Sequence, residues 1–464
     1  MQPIPNKQTY GEAPLSAPGR GAGGEGLRVL IFGAGKSATC LIDYIIAEAS
    51  HNHWLVTVAD NDLSLAQSKV GNHKHANAVA VNVENSEERN KLIQTAAIVI
   101  SLLPPALHFL VAQDCVLFGK NLLTASYMDD NIRGLQSSIE NKKLLFLCEM
   151  GLDPGIDHMS AMQLIHRIKK EGGTIASFVS HCGGLVAPES DDNPWHYKIS
   201  WNPRNVVMAG KAGAVYLENR KIEKLKYEKL FDENRLTGIP GIGSLAWYPN
   251  RDSLDYIDLY KLDGIETFIR TTLRYPQFCY GWKRIIDLKL TDDNLFYETD
   301  GMTLKHFFHL HLQQHGFTVS TEKKTQKPDI FLLQLDYLGM QDDETFINRG
   351  RCSAMDILQF ALEKKLVLNA HDEDMIVMLH EIEYVRDGKK YLVKSNLQVK
   401  GDDNKRTAMA KTVGLPLGIA AKLILQGKIK ETGLHIPVIS TIYEPLLQEL
   451  KQHGISFQEN TIVG

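Results

Sequence analysis

"RVLIFGAGKSATCLIDYIIAEA", residues 28–49, decides the fold. A five-residue run, Arg28–Phe32, apolar after its first residue, is followed at once by Gly33-Ala34-Gly35-Lys36-Ser37-Ala38 and then by a segment with helical spacing. This is GxGxxA set between a strand and a helix. Gly33 permits the tight turn, Gly35 lets a pyrophosphate approach the backbone, and Ala38 lets the helix lie close to the sheet. The helix N-terminus then faces the phosphates. Gly33, Gly35, Lys36, Ser37 and Ala38 are therefore expected to bind a dinucleotide.

Outward from this turn, short apolar runs alternate with helix-length segments: WLVTV (54–58), NAVAV (77–81), AIVISLL (97–103), NLLTA (121–125) and LLFLC (144–148). Nearly continuous apolar runs are what parallel strands buried on both faces require. Six strands with helical crossovers predict a Rossmann-type doubly wound parallel sheet over 28–152. The second strand ends in Asp60, about 25 residues past the glycines, where a carboxylate accepts hydrogen bonds from a ribose 2′-hydroxyl and repels a 2′-phosphate. No arginine follows, only Asn61 and Asp62. The expectation is NAD in preference to NADP, with NADP possible.

In such a sheet ligands bind beyond the carboxyl ends of the strands. Those ends carry Leu103-Pro104, Ala125-Ser126-Tyr127 and the loop "EMGLDPGIDHMSA", residues 149–161. Gly151 and Pro154-Gly155 shape a backbone that passes close to a ligand. Asp157 reads as a helix cap, His158 as helix packing, and Asp153, which has no local duty, as a group facing the nicotinamide end.

Composition places the rest. The chain has 464 residues, 44% hydrophobic and 23% charged, with a net charge of -4. That is too long for one core and gives no basic face for nucleic acid. No apolar run approaches the about 18 residues of a membrane span. The six cysteines are scattered with no CxxC, as a reducing cytoplasm allows. A Pro/Gly-rich stretch, 1–27, reads as a flexible leader. The cluster His371-Asp372-Glu373-Asp374 reads as a solvated turn or helix start, and no metal site is expected.

The blocks "NLLTASYMDD", "EMGLDPGIDHMSAM", "SHCGGLVAPESDDNPWHYKISWNPRN", "YPNRDS", "IETFIRTTLRY", "HDEDMIVMLHEIEY" and "AMAKTVGLPLGIAAKLILQGKI" resemble the glutamate-forming branch of the saccharopine dehydrogenase family. The resemblance implies an α/β substrate-binding region over 153–405, with a helical subdomain near 285–365, and a 406–464 segment that returns to the cofactor domain. It implies a homodimer. It also implies oxidation of saccharopine with NAD(P) and water to L-glutamate and 2-aminoadipate 6-semialdehyde. Asp153, Tyr127 and Cys182 are then the candidates for proton handling. Ser126, Arg204, Arg251, Thr272, Leu273 and Arg274 are candidates for binding the substrate, whose three carboxylates suit arginine forks. Leu152, Asp153 and Pro154 would face the cofactor with Leu103, Pro104, Ala125 and Ser126. Two rival readings are a carbon–nitrogen oxidoreductase acting on another amino-acid or polyamine conjugate, and a non-catalytic dinucleotide-binding redox sensor. The first would need acids where this chain has arginines. The second could dispense with Asp153, Tyr127 and the arginines, all of which are present.

Overall fold

A computed structural model describes residues 26–233, 235–318 and 329–464. The leader expected at 1–27 lies outside these, apart from its last two residues.

The first sheet is parallel throughout. Its strands are β1 (Arg28–Phe32), β2 (Leu55–Asp60), β3 (Ala76–Ala80), β4 (Ile98–Ser101), β5 (Asn121–Thr124) and β6 (Leu145–Leu147). They run in the order β6-β5-β4-β1-β2-β3, and the strand Gly433–His435 adds beyond β6. The order reverses between β1 and β4, where a crevice opens at the strand ends. Residues 29–32 and 98–101 are fully buried, as strands covered on both faces should be.

The second sheet has ten strands of mixed direction. At its centre β7 (Thr174–Val186) runs parallel to Thr267–Arg274 on one side and antiparallel to Asp374–Arg386 on the other. The strand Lys389–Lys400 follows, and Gln458–Val463 pairs with it. Residues 406–464 thus divide between the two sheets. Four helices, Pro276–Asp287, Leu304–His315, Ile330–Tyr337 and Ala354–Lys365, form a module with its own core around Trp195, Trp282, Phe307 and Phe308.

One helix, Ala408–Leu425, is long and apolar enough to cross a membrane by composition, contrary to the reading that no such run exists. Most of it is buried in the protein, packed against the helix Thr39–Asn52. The acid cluster also differs from expectation. Asp372 accepts from Lys198 Nζ at 2.8 Å, and Asp374 is fully buried, capping Ala408–Leu425 through the Ala408 and Met409 N–H groups. A buried carboxylate is stable there because the N-terminus of an 18-residue helix supplies both donors and positive potential.

Candidate active site

The glycine turn is built as its sequence requires. Gly33 has φ +100°, and a Cβ on it would stand 2.7 Å from the Leu102 carbonyl oxygen. Among the described residues, nothing lies within 4 Å of where a Cβ on Gly35 would be. That open space at a helix start is the cradle a pyrophosphate fills, so these residues fit a dinucleotide. Lys36 and Ser37 lie at its rim and Ala38 is buried beneath. Leu103, Pro104, Ala125 and Ser126 line up along the same strand ends with partly or fully exposed side chains. Leu152 and Pro154 are buried, so only their backbone can face a ligand.

The loop after β6 turns back on itself. Gly151 N–H donates to Pro154 O, and the N–H groups of Ile156 and Asp157 donate to Gly151 O and Leu152 O. Gly155 holds φ +145°, and a Cβ there would overlap the Gly151 backbone. Gly155→Ala is accordingly expected to cost about 1–3 kcal/mol of stability. A thermal melt checks it; an unchanged Tm would mean the loop relaxes freely.

The loop delivers Asp153 and Asp157 to one cation. Arg270, buried on the strand Thr267–Arg274, donates from Nη2 to Asp153 Oδ1 and, at 2.8 Å, to Asp157 Oδ2. Asp157 therefore does not cap its helix. No side-chain cap is made at the start of Ile156–Lys170; Asp157 accepts the Gly155 N–H at 2.6 Å and spends its other oxygen on Arg270. His158 is not simple packing either: it is fully buried between Glu149 Oε2 (2.8 Å) and the Tyr260 hydroxyl (2.6 Å).

The two aspartates are driven apart. Burial pushes the Asp153 carboxyl up, Arg270 pulls it down, and the Asp157 charge pushes it up again, leaving it at about 6. Burial acts on Asp157 too, but His158, Arg270 and the Gly155 N–H outweigh it and hold that carboxyl below the usual range. One acid that exchanges its proton near neutrality beside one that stays ionised is the pattern of an acid–base site. The other two candidates behave differently. Burial raises the Tyr127 phenol and raises the Cys182 thiol further, with Asp153 and Asp157 adding to the Cys182 effect. Both stay protonated and can donate, but neither accepts a proton readily.

A cleft of about 600 Å³ opens beside this cluster between the two sheets, lined by Tyr127, Glu149, Arg251, Tyr256, Arg270 and His435 among others. The Arg251 guanidinium lies over the Tyr127 ring at 4.8 Å. Arg274 is buried, with its guanidinium 5.3 Å from the Tyr197 ring and 5.5 Å from Phe278, and its Nε has no hydrogen-bond partner among the described residues. A buried cation with an unmatched donor suits a carboxylate. Thr272 pairs in register with Cys182, on the same strand face as Arg270 and Arg274. Leu273 falls on the opposite face, in a separate core with Leu185, Leu245 and Val377, so its side chain is removed from the site. Arg204 is also removed. It pairs with Asp356 at 2.6 Å and contacts Gln359 at 3.3 Å, tying Pro203–Val207 to Ala354–Lys365. Ser126 bonds His108 Nε2 at 2.7 Å, and His108 Nδ1 meets Ser101 at 2.8 Å.

Sequence reasoning missed Arg270, Glu149, Tyr256 and Tyr260. The signal for Arg270 was available: an arginine inside "TFIRTTLR", on the same face as Arg274, must be buried and needs an anion. Glu149 ending a buried apolar run carried a similar hint. The tyrosines gave none.

Comparisons with known proteins agree on one family. Residues 29–147 match the family model for the saccharopine dehydrogenase NADP binding domain, and 151–455 match the saccharopine dehydrogenase C-terminal domain. The chain is 34% identical to bovine mitochondrial alpha-aminoadipic semialdehyde synthase over 94% of its own length and 48% of that protein, so it spans about half of such relatives. It is 33% identical to the saccharopine dehydrogenase [NADP(+), L-glutamate-forming] of Saccharomyces cerevisiae over 94% of this chain and 100% of that one. A solved apo structure of the L-Glu-forming yeast enzyme matches with a TM-score of 0.84 at 31% identity, covering 94% of this chain and 100% of that chain.

These findings overturn the preference for NAD drawn from Asp60, since the matching domain model is NADP-binding and the yeast relative's name specifies NADP(+). Asp60 Oδ2 accepts the Ala34 N–H at 2.7 Å and Oδ1 the Asp62 N–H at 2.9 Å. The carboxylate therefore braces the glycine turn from the end of β2. With both domains matched, this chain belongs to the saccharopine dehydrogenase family.

Proposed function

We propose that this chain catalyses the NADP-dependent oxidation of saccharopine, with water, to L-glutamate and 2-aminoadipate 6-semialdehyde. The observation that carries the reading is the Asp153–Arg270–Asp157 cluster, beside a cleft that has arginines at its wall and with a buried, partly unmatched arginine on the same strand as Arg270. Gly33–Ala38, with Leu103, Pro104, Ala125, Ser126 and the backbone of Leu152–Pro154, would hold NADP, which would supply the acceptor for the hydride that leaves the carbon bonded to the amine nitrogen. Asp153 as a carboxylate takes the proton from the amine before oxidation. Asp153 passes that proton to solvent; ionised again, it takes a proton from the water that attacks the imine carbon, gives it to the nitrogen, and takes the hydroxyl proton as the carbonyl forms and the C–N bond breaks to release glutamate. Tyr127 and Cys182, which stay protonated, serve as donors or as walls of the pocket. Arg251 and Arg274 hold the substrate's carboxylates, and the Thr272 side chain with the Leu273 backbone lines the strand between them.

A cytoplasmic location and a homodimer belong to the same proposal. All six cysteines are free thiols, as a reducing compartment leaves them, and light scattering measures the assembly.

The direct test is saccharopine-dependent reduction of NADP by the purified chain, with glutamate released in equal amount. A preparation that binds NADP yet shows no such reduction would remove the reading.

A further inference from the structure

Behind Arg270 lies a buried polar set that the chemistry above leaves unused. Glu149 is 3% exposed and holds φ 57°, a left-handed conformation uncommon for a non-glycine residue. Its Oε1 accepts the Met128 N–H at 3.1 Å. Its Oε2 meets His158 Nε2 at 2.8 Å and accepts the Tyr256 hydroxyl at 3.1 Å. The His158 ring stacks on Tyr256, with centroids 5.0 Å apart and planes 26° apart. The Arg270 guanidinium stands over the Tyr256 ring at 4.4 Å. Glu149 and His158 come from the segment that leaves the first sheet; Arg270 is on a strand of the second sheet, and Tyr256 is on the short helix Asp255–Leu259 that precedes that strand.

We propose that Tyr256 is a positioning residue: anchored by Glu149 and His158, its ring fixes the Arg270 guanidinium against Asp153, so that proton exchange at Asp153 depends on a contact made across the two sheets. The inference rests on the reading of Asp153 as the proton-handling group. Its physical basis is the way Arg270 is held. Both carboxylates are served by the single nitrogen Nη2, and a guanidinium gripped at one corner can swivel unless its flat face is supported. Tyr256 supplies that support by a cation–π contact in a desolvated site, where such contacts are strongest. The charged and titratable groups facing Asp153 are Arg270 and Arg251 from the second domain, Asp157 and His158 from its own segment, Tyr127 after β5, and Cys182 on β7. Arg270 is the cation bonded to it directly. A swivelled Arg270 leaves the Asp153 carboxylate less stabilised, so its proton is held more tightly.

The test measures pH profiles of kcat/KM and kcat in Tyr256→Leu, Tyr256→Phe and Asp153→Asn, with melting temperature and NADP affinity as checks on folding. Tyr256→Leu is expected to lower kcat about 10- to 100-fold, within the range of acid–base effects. Its acidic limb should move up by about one pH unit, with the KM for saccharopine changed less than about 3-fold. Tyr256→Phe keeps the ring and removes only the Glu149 link; it should move the limb in the same direction by a smaller amount, and it carries the test if the leucine variant does not fold. A profile that stays in place in both variants, or an effect confined to KM, overturns the positioning role while Asp153→Asn remains impaired. An Asp153→Asn enzyme with full kcat and an unaltered profile would instead remove the reading of Asp153 on which the inference rests, and the two failures are thereby told apart.

Discussion

Asp153→Asn is expected to lower kcat by about 10- to 10³-fold, the span of general acid–base contributions. The substitution keeps the side chain's size and its place beside Arg270 but removes the group that exchanges a proton. The wild-type carboxyl lies at about 6 because burial and the Asp157 charge outweigh Arg270. As a base it works only when ionised. The kcat/KM of the wild type should therefore rise with pH through about 6 and then level until another group titrates. Asp153→Asn should lose that limb along with its rate. NADP affinity should change little, because the turn Gly33–Ala38 is on another loop. Stability should hold as well, since Asp157 remains as the counter-charge to Arg270. Full kcat with the limb intact would make the carboxylate structural and move the proton work to bound water.

Arg274→Ala is expected to weaken saccharopine binding by about 2–5 kcal/mol, the cost of removing one partner from a buried charge pair. That corresponds to about 30- to 4,000-fold in KM. Arg274→Lys should recover only part of this, because an ammonium cannot form the planar fork. The free protein should respond in the opposite sense. Arg274 is buried on Tyr197 and Phe278 with an unpartnered Nε, so deleting it removes an unmatched polar group, and the melting temperature without substrate should stay level or rise. Unchanged KM would place the substrate elsewhere. Arg251→Ala should have a smaller effect, since its exposed position leaves the charge better screened.

Much of the site was legible because parts of it are local. The turn Gly33–Ala38 needs particular φ values and small side chains at fixed spacing, and spacing is written in the chain. The loop after β6 could be placed because strand ends of a parallel sheet all face one crevice. The period of two along a strand could also have separated Leu273 from Arg270, Thr272 and Arg274. Other readings failed where a side chain chooses its partner. Asp60 pointed to NAD by position, but the matching domain is NADP-binding, and in the structure the carboxylate accepts from the backbone N–H groups of Ala34 and Asp62. Asp372 and Asp374 looked solvated by composition, but Lys198 and the start of Ala408–Leu425 hold them.

By itself, then, the sequence determined the parallel sheet, the dinucleotide turn and the loop that carries Asp153, because hydrophobic period and backbone permissiveness act over a few residues. The tertiary structure alone decided that Asp153 and Asp157 share Arg270, that Arg204 is spent on Asp356, and that Glu149 and His158 stand behind Tyr256. Those pairs join segments about a hundred residues apart or more, and which charge meets which is decided by how the two sheets pack. Burial makes an unmatched charge costly, so the fold must supply a partner, but only the packed arrangement determines which one lies within reach.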